Sequence, residues 1–521
     1  MKRSRHLDPI ALVFAMGIAA TWSLPASAGF TKGPYLQDVS QTSIVVCWES
    51  ASSEAGEVRF GTTASLGSTV TEGSATLVHQ VEVTGLDPST IYSYQVSSGG
   101  ALSNLATLHT APLEEEPFRF VVVGDTRTDG DAHQRVIDRV VNTLGYPDLY
   151  FNTGDLVEDG GDIGQWGEFF TIESALLAYS PLFPVAGNHD DYANDSIYAE
   201  LFHLPTASSG TEGYYAFTYG NTRFIIVDTN DDFTNASTQY QWLEAELIAA
   251  NANPAIRHEI VLFHDPPYTS GAHGAFDVED WGPPRNHLVP LFTTHGVDVV
   301  FNGHDHHYER TDPALTGGVL YVVAGGGGAP GAPEDFVDGI DGIISYLGMD
   351  PGETVGEYLE DHPLVWEAIK VFNQAEDYEG GWWRAEAEVV KHFVLVEVQG
   401  GLLDATVYDV DGGVLDTWQV GTYDGDEVDD DGDGYTEQEG DCDDANDAVN
   451  PDAVDECDGV DNDCDGADEG CPEDTDADTD TDGTVTGKGC GCGVGGSASA
   501  GLLLFPVLAL LRRRRSSSTP G

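Results

Sequence analysis

The chain has 521 residues, room for two to four domains. Its 89 Asp and Glu against 21 Lys and Arg give a formal net charge of −68. That charge excludes a nucleic-acid backbone as a favoured partner, because the electrostatic term would be repulsive. Both charge and cysteine are unevenly spread. No Lys or Arg stands between Asp424 and Asp482, and Cys442, Cys457, Cys464 and Cys471 all fall within that stretch.

Residues 1–28 read as a secretory signal peptide, with a basic start, a short apolar middle and "ASA" before Gly29. The mature chain is therefore expected to be exported, and the four cysteines of the acidic stretch read as two disulfides of open connectivity. Cys47 has no nearby partner and reads as a small buried hydrophobe. In residues 29–112, "TSIVVCWES", "GEVRFG", "HQVEVTGL" and "IYSYQVSS" are short apolar or alternating runs between turn residues, which predicts a β-sandwich. No residue there carries obvious chemistry. "TAPLEEEP" follows as a polar linker.

Residues 117–420 read as an α/β domain. Five strand-like runs each end in metal-capable residues. "FRFVVVGD" ends at Asp125, "DLYFNTGD" at Asp155 and "HEIVLFH" at His264. "PLFPVAGNHD" carries Asn188 and His189, and "VDVVFNGHDH" carries His304 and His306. Helical stretches such as "AHQRVIDRVVNTL" and "TQYQWLEAELIAA" lie between the runs, and in such layered sheets ligands collect at the carboxyl ends of strands. The cluster His304–His307, taken alone, could be a solvated loop. A single polar residue at a strand end is ordinary, but five in succession make a ligand set. The run "VVAGGGGAPGAP" lacks the GK[ST] of a phosphate-binding P-loop and predicts a close backbone approach to the metal loops. Residues 334–377 read as an insertion near the site.

The order GD…GD…GNHD…H…GHxH resembles the calcineurin-like metallophosphoesterases, and "GNHD" with "GHDHHYER" brings it closest to the purple acid phosphatase branch. "GPYLQ", "VVCWES" and "GLDPSTIYSYQV" are similar to the fibronectin type III-like domain that precedes the catalytic domain in that branch. The resemblance implies two divalent or trivalent ions (Fe, Zn or Mn). Asp155 would bridge them, Asn188, His264 and His304 would complete one position, and Asp125 and His306 would belong to the other. Two ions about 3.5–4 Å apart can grip both oxygens of an in-line displacement, and the pKa of a bound water falls from about 15.7 towards about 7. The resemblance also makes His189 the proton donor to the leaving group and His273 a substrate contact. Arg127 could hold phosphate oxygens through its planar fork, or equally be a surface salt-bridge residue.

The chain departs from the branch in two places. Glu158 stands where the branch has a tyrosinate ligand, and Arg127 where other members have a histidine. The first ion then has only Asp125, Asp155 and His306, and Glu158, His133 or a water must supply the rest. Without tyrosinate there is no iron–phenolate band, which predicts a colourless or pale protein.

Asp429, Asp431, Asp433 and Gly434 have the spacing of a calcium loop, but the twelfth position is Gly440, so this is not an EF-hand. Residues 424–471 resemble the metal-binding repeats related to the copper-binding protein MopE; hard carboxylates without histidine favour calcium. A disordered acidic spacer is the other reading. Residues 472–489 are low-complexity linker. Residues 490–521 join Cys490 and Cys492 to a short apolar segment and four arginines, similar to the MYXO-CTERM signals that engage a surface-sorting machinery. The expected protein is an exported phosphomonoester hydrolase acting on small phosphorylated substrates. A phosphodiesterase or nucleotide hydrolase on the same site, or a non-catalytic calcium-dependent surface protein, are the alternatives.

Overall fold

The computed structural model describes residues 29–113, 116–190, 196–269, 271, 284–330 and 384–422, with isolated positions between 435 and 464. The leader, His273, the insertion at 334–377, most of the acidic stretch and the C-terminal tail lie outside the described residues.

Six strands fill the N-terminal region: β1 (Phe30–Gln37), β2 (Ser43–Gly61), β3 (Ser68–Thr84), β4 (Ile91–Ser98), β5 (Ala101–Leu102) and β6 (Ala106–His109). "VVCWES" and "GEVRFG", read from sequence as separate strands, are the two halves of β2. The first half pairs with β1 and β3, the second with β3 and β4, all antiparallel. The register shifts between Glu49 and Glu54 and again between Ala55 and Glu57. The expected pair of sheets is therefore one hydrogen-bonded sheet, whose long hairpin changes partners at bulged positions; bulges are the usual means by which a strand leaves one layer for another. Cys47 is buried and free, as its isolation in the sequence implies.

Two sheets and flanking helices make the second region. In one, β7 (Phe118–Val123), β8 (Leu149–Asn152) and β9 (Leu182–Pro184) run parallel. The other edge of β7 takes β17 (His392–Gln399), followed by β18 (Leu402–Asp409) and β19 (Val414–Gly421), all antiparallel. The second sheet contains β10 (Tyr215–Tyr219), β11 (Thr222–Ile226), β12 (His258–Leu262), β13 (Val299–Asn302), β14 (Tyr308–Thr311), β15 (Leu320–Ala324) and β16 (Arg384–Glu388). Its centre, β11–β12–β13–β15, is parallel. Parallel strands are buried on both faces, which is why these segments read as continuous apolar runs.

The sheets meet through aromatic side chains. Phe120 lies edge-on to Phe224 (5.3 Å), Phe301 (6.2 Å) and Phe151 (5.5 Å) and is fully buried. Five described helices accompany the sheets: α1 (Gly130–Leu144), α2 (Ile163–Leu177), α3 (Ile197–Leu201), α4 (Thr238–Asn251) and α5 (Pro284–His295). Leu243 and Leu247 of α4 and Leu288 and Phe292 of α5 join Val261, Phe263 and Val300 in a separate core behind the second sheet. On the other side, α2 meets the N-terminal sheet, where the Tyr94 hydroxyl donates to the Ala178 carbonyl (2.8 Å) and Tyr35 packs on Phe170 (4.7 Å).

Candidate metal centre

The carboxyl ends of β7, β8 and β9 from one sheet and of β12 and β13 from the other converge. Two groups of ligand atoms result, each with its atoms within 4.8 Å of one another: Asp155, His264 and His304, and Asp125, Asp155 and His306. Asp155 belongs to both. The loops that present these residues carry left-handed backbone at non-glycine positions, with φ of 55° at Asp125, 55° at Asp155 and 70° at His304. Such conformations persist only where the surroundings over-determine them, and they gather at functional sites. Here the Asp125 carbonyl accepts from the N–H of Gly328 (2.8 Å) and Ala329 (2.7 Å), and its carboxylate accepts from the His304 N–H (2.9 Å).

The glycine run behaves as its sequence predicts. Gly327 donates to the Gly124 carbonyl at 2.8 Å, and a Cβ on Gly325 would lie 2.1 Å from the Asp305 carbonyl oxygen. Only glycine lets β15 lead this closely past the metal loops.

Hydrogen bonds fix which nitrogens face the centre. His264 Nδ1 donates to the Thr153 carbonyl (2.9 Å) and His306 Nδ1 to the Pro330 carbonyl (2.8 Å), so each presents an Nε2 lone pair. Asn188 Oδ1 and His304 Nδ1 each lie 3.1 Å from His264 Nε2, and Asp155 Oδ1 lies 3.3 Å away. Ligand atoms about 2.0–2.1 Å from a tetrahedral ion stand about 3.3 Å apart, so this spacing fits a metal. Burial opposes it, but Asp155 beside it raises the His264 pKa, so Nε2 can carry a proton shared with Asn188 Oδ1 and Asp155 Oδ1 or, in its place, an ion. The residues around His264 fit an ion of the kind the resemblance implies, and the Asp125–Asp155–His306 group offers a second set of donors.

The electrostatics point the same way. Burial lifts the Asp125 carboxyl well above the usual carboxylate range; His264 opposes the shift and the charge of Asp155 adds to it. Burial also works against Asp155, but His264 and His189 beside it hold its carboxyl well below that range. Two buried carboxylates in one pocket call for positive charge.

His189 lies at the rim, with its Nδ1 donating to the Glu158 carbonyl (2.8 Å) and Nε2 3.9 Å from Asp155 Oδ2. Its Nε2 is the nitrogen free to exchange a proton. Arg127 forms ion pairs at the edge of the centre: its side chain is 12% exposed, and Nε donates to Asp155 Oδ2 at 3.0 Å. Glu158 faces the same guanidinium (2.5 Å). The expectation that His133 could complete the first position is overturned. His133 is buried on α1, and its Nε2 pairs with Glu173 Oε1 of α2 (2.7 Å), an oxygen that also accepts from the Tyr150 hydroxyl (2.9 Å). His273 lies outside the described residues.

Sequence reasoning missed Asp190. Its buried carboxylate accepts from the backbone N–H of Asp155 (2.9 Å), Leu156 (2.8 Å), Val157 (3.3 Å) and Gly187 (2.8 Å), and so fixes the loop that presents the shared ligand. Its position at the end of "GNHD" was the available signal.

Fold and site define a layered α/β protein with two Asp/His ligand clusters that share one carboxylate. Residues 118–308 match the family model of calcineurin-like phosphoesterases, and residues 34–110 match that of the purple acid phosphatase N-terminal domain. The two matches support a purple acid phosphatase-like family and are consistent with a metal-dependent phosphoester hydrolase. An uncharacterized protein of Mycobacterium tuberculosis is 29% identical over 313 residues, covering 48% of this chain and 58% of that protein. Purple acid phosphatase 15 of Arabidopsis thaliana is 27% identical over 297 residues, covering 48% of this chain and 54% of the relative. The chain thus spans just over half the length of these curated relatives. The solved structure of the purple acid phosphatase PPD1 from yellow lupin seeds shares the fold, with a TM-score of 0.58 and 19% identity over 76% of this chain and 75% of that one.

Proposed function

We propose that the chain is an exported phosphoesterase with a dinuclear metal centre, hydrolysing small phosphomonoesters. The observation that carries this reading is the sharing of Asp155 by two ligand groups at the ends of four strands. One position would be held by Asp155, Asn188, His264 and His304, the other by Asp125, Asp155 and His306. When bound, the ions supply Lewis-acid polarisation of phosphate oxygens and acidify a water. The chain's own residues do the rest. The Asp190 carboxylate and the backbone of the glycine run hold the ligand loops in place. Nε2 of His189, at the rim, would hand a proton to the departing alkoxide. His273 would contact substrate.

The N-terminal sheet would be a fibronectin type III-like spacer, and residues 424–471 a calcium-binding, MopE-like segment. Residues 490–521 would direct the protein to the cell surface through a sorting machinery. Export is supported by the leader pattern and by the four cysteines of the acidic stretch, which read as two disulfides. Turnover of p-nitrophenyl phosphate and of its bis ester, measured with metal analysis of the same sample, tests the function. Hydrolysis of the bis ester in preference to the monoester would replace the phosphomonoesterase reading by a phosphodiesterase one. No hydrolysis of either by the metal-loaded protein would leave a binding protein.

A further inference from the structure

The two ligand groups differ in one respect: an arginine already stands on the second. Arg127 Nε donates to Asp155 Oδ2 (3.0 Å), and its Nη2 lies 3.3 Å from His306 Nε2. Because His306 Nδ1 donates to the Pro330 carbonyl, His306 Nε2 carries the lone pair and accepts from the guanidinium. That lone pair is the one an ion would need. Two of the three candidate ligands of the Asp125–Asp155–His306 group are therefore engaged by a cation that belongs to the chain. The other face of the guanidinium is tied to Glu158 and to the Thr128 hydroxyl (3.2 Å). Arginine cannot shed its proton, so it cannot become neutral to admit an ion. The other group shares Asp155, but among the described residues the atoms facing His264 Nε2 are Asp155 Oδ1, Asn188 Oδ1 and His304 Nδ1, with no Arg or Lys side chain among them.

We propose that Arg127 is a built-in competitor for the Asp125–Asp155–His306 position, so that metal loads in order. The Asp155–Asn188–His264–His304 position fills first and tightly. The other fills weakly, with the guanidinium drawn off Asp155 and His306 and retained by Glu158 and Thr128. Arg127 thereby sets whether the centre holds one ion or two at a given metal concentration. The inference rests on the reading of the site as a dinuclear metal centre, and it concerns affinity rather than catalysis.

Calorimetric titration of the metal-free full-length protein with zinc tests it, with bound zinc counted after equilibration in metal buffers. The wild type should bind one ion tightly and a second at least about tenfold more weakly. Arg127→Gln should tighten the second ion by about tenfold or more, the least expected when a full charge about 4 Å from a dication is removed. It should tighten the first ion, which shares Asp155 but lies farther from the guanidinium, by less than the second. Arg127→Lys, which keeps the charge, should stay near the wild type, and it also guards against a folding defect specific to the neutral variant. Two equal ions in the wild type, or an unchanged second affinity in Arg127→Gln, would overturn the proposal while leaving the phosphoesterase reading intact. Failure of either protein to bind zinc would remove the metal-centre reading and this proposal with it.

Discussion

Asp125 and Asp155 come from one sheet, His264 and His304 from the other, and the contact between the sheets holds the two halves of the centre together. Phe120 is at that contact. It is fully buried and edge-on to Phe151, Phe224 and Phe301 at 5.3–6.2 Å. Replacing it with alanine removes about 150–200 Å² of buried aromatic surface, worth about 4–5 kcal/mol at about 25 cal/mol per Å². The aromatic pairs add about 0.5–1.5 kcal/mol each, and partial collapse of the cavity returns some of the total. A loss of about 4–5 kcal/mol is therefore expected for Phe120→Ala, the upper part of the range seen for such truncations. Phe120→Leu should lose less than half of that. Urea unfolding of the metal-free protein followed by near-ultraviolet circular dichroism measures both. Repeating it with zinc should stabilise wild type and variant by similar amounts, because a ligand that binds only the folded state adds the same term to each. A loss below about 2 kcal/mol for Phe120→Ala would refute the argument that this aromatic layer joins the sheets.

Asp155→Ala should abolish hydrolysis and release both ions, since one carboxylate serves two groups; two ions still bound tightly, counted by metal analysis, would defeat the assignment. His189→Ala should lower kcat towards alkyl phosphates by about 10²–10⁴-fold with metal content kept, and unchanged turnover would remove His189 as the proton donor. Asp190→Ala frees the loop that presents Asp155 and should lower zinc affinity by about 10–100-fold, the cost usual when a ligand loses its supporting partner. His392 is buried with Nε2 lacking a partner, and burial pushes its pKa down from 6.5 to about 4. The unfolded chain binds the proton first, so stability falls as pH drops from about 6.5 to about 4; about 3 kcal/mol is lost relative to His392→Gln, read from unfolding curves across that range.

What the sequence made legible follows from how local each signal is. A buried parallel strand needs an apolar run, and a ligand at its carboxyl end is the next polar residue along, so "FRFVVVGD" and "HEIVLFH" carry strand and ligand in a single string. The glycine run was readable for a similar reason, because a backbone that must pass another backbone closely excludes side chains at consecutive positions. The corrections all involve partners far apart in sequence. His133 resembles a spare ligand until Glu173, forty residues on and in another helix, is seen to take its Nε2. The two apolar halves of β2 look like separate strands because the bulged residues between them break the alternation without breaking the hydrogen bonding to β3. Arg127 is the sharpest case. "GDTR" shows that a ligand is missing, yet the string alone cannot tell a guanidinium reaching for substrate from one lying across the ligands. In the structure Asp155, Glu158 and His306 are brought around it by the loops after β8 and β13. On the proposed reading of a dinuclear centre, a permanent cation at this position, with the remaining ligands kept, would change the terms on which a second ion binds, although a motif count based on the ligands alone would record the centre as nearly complete.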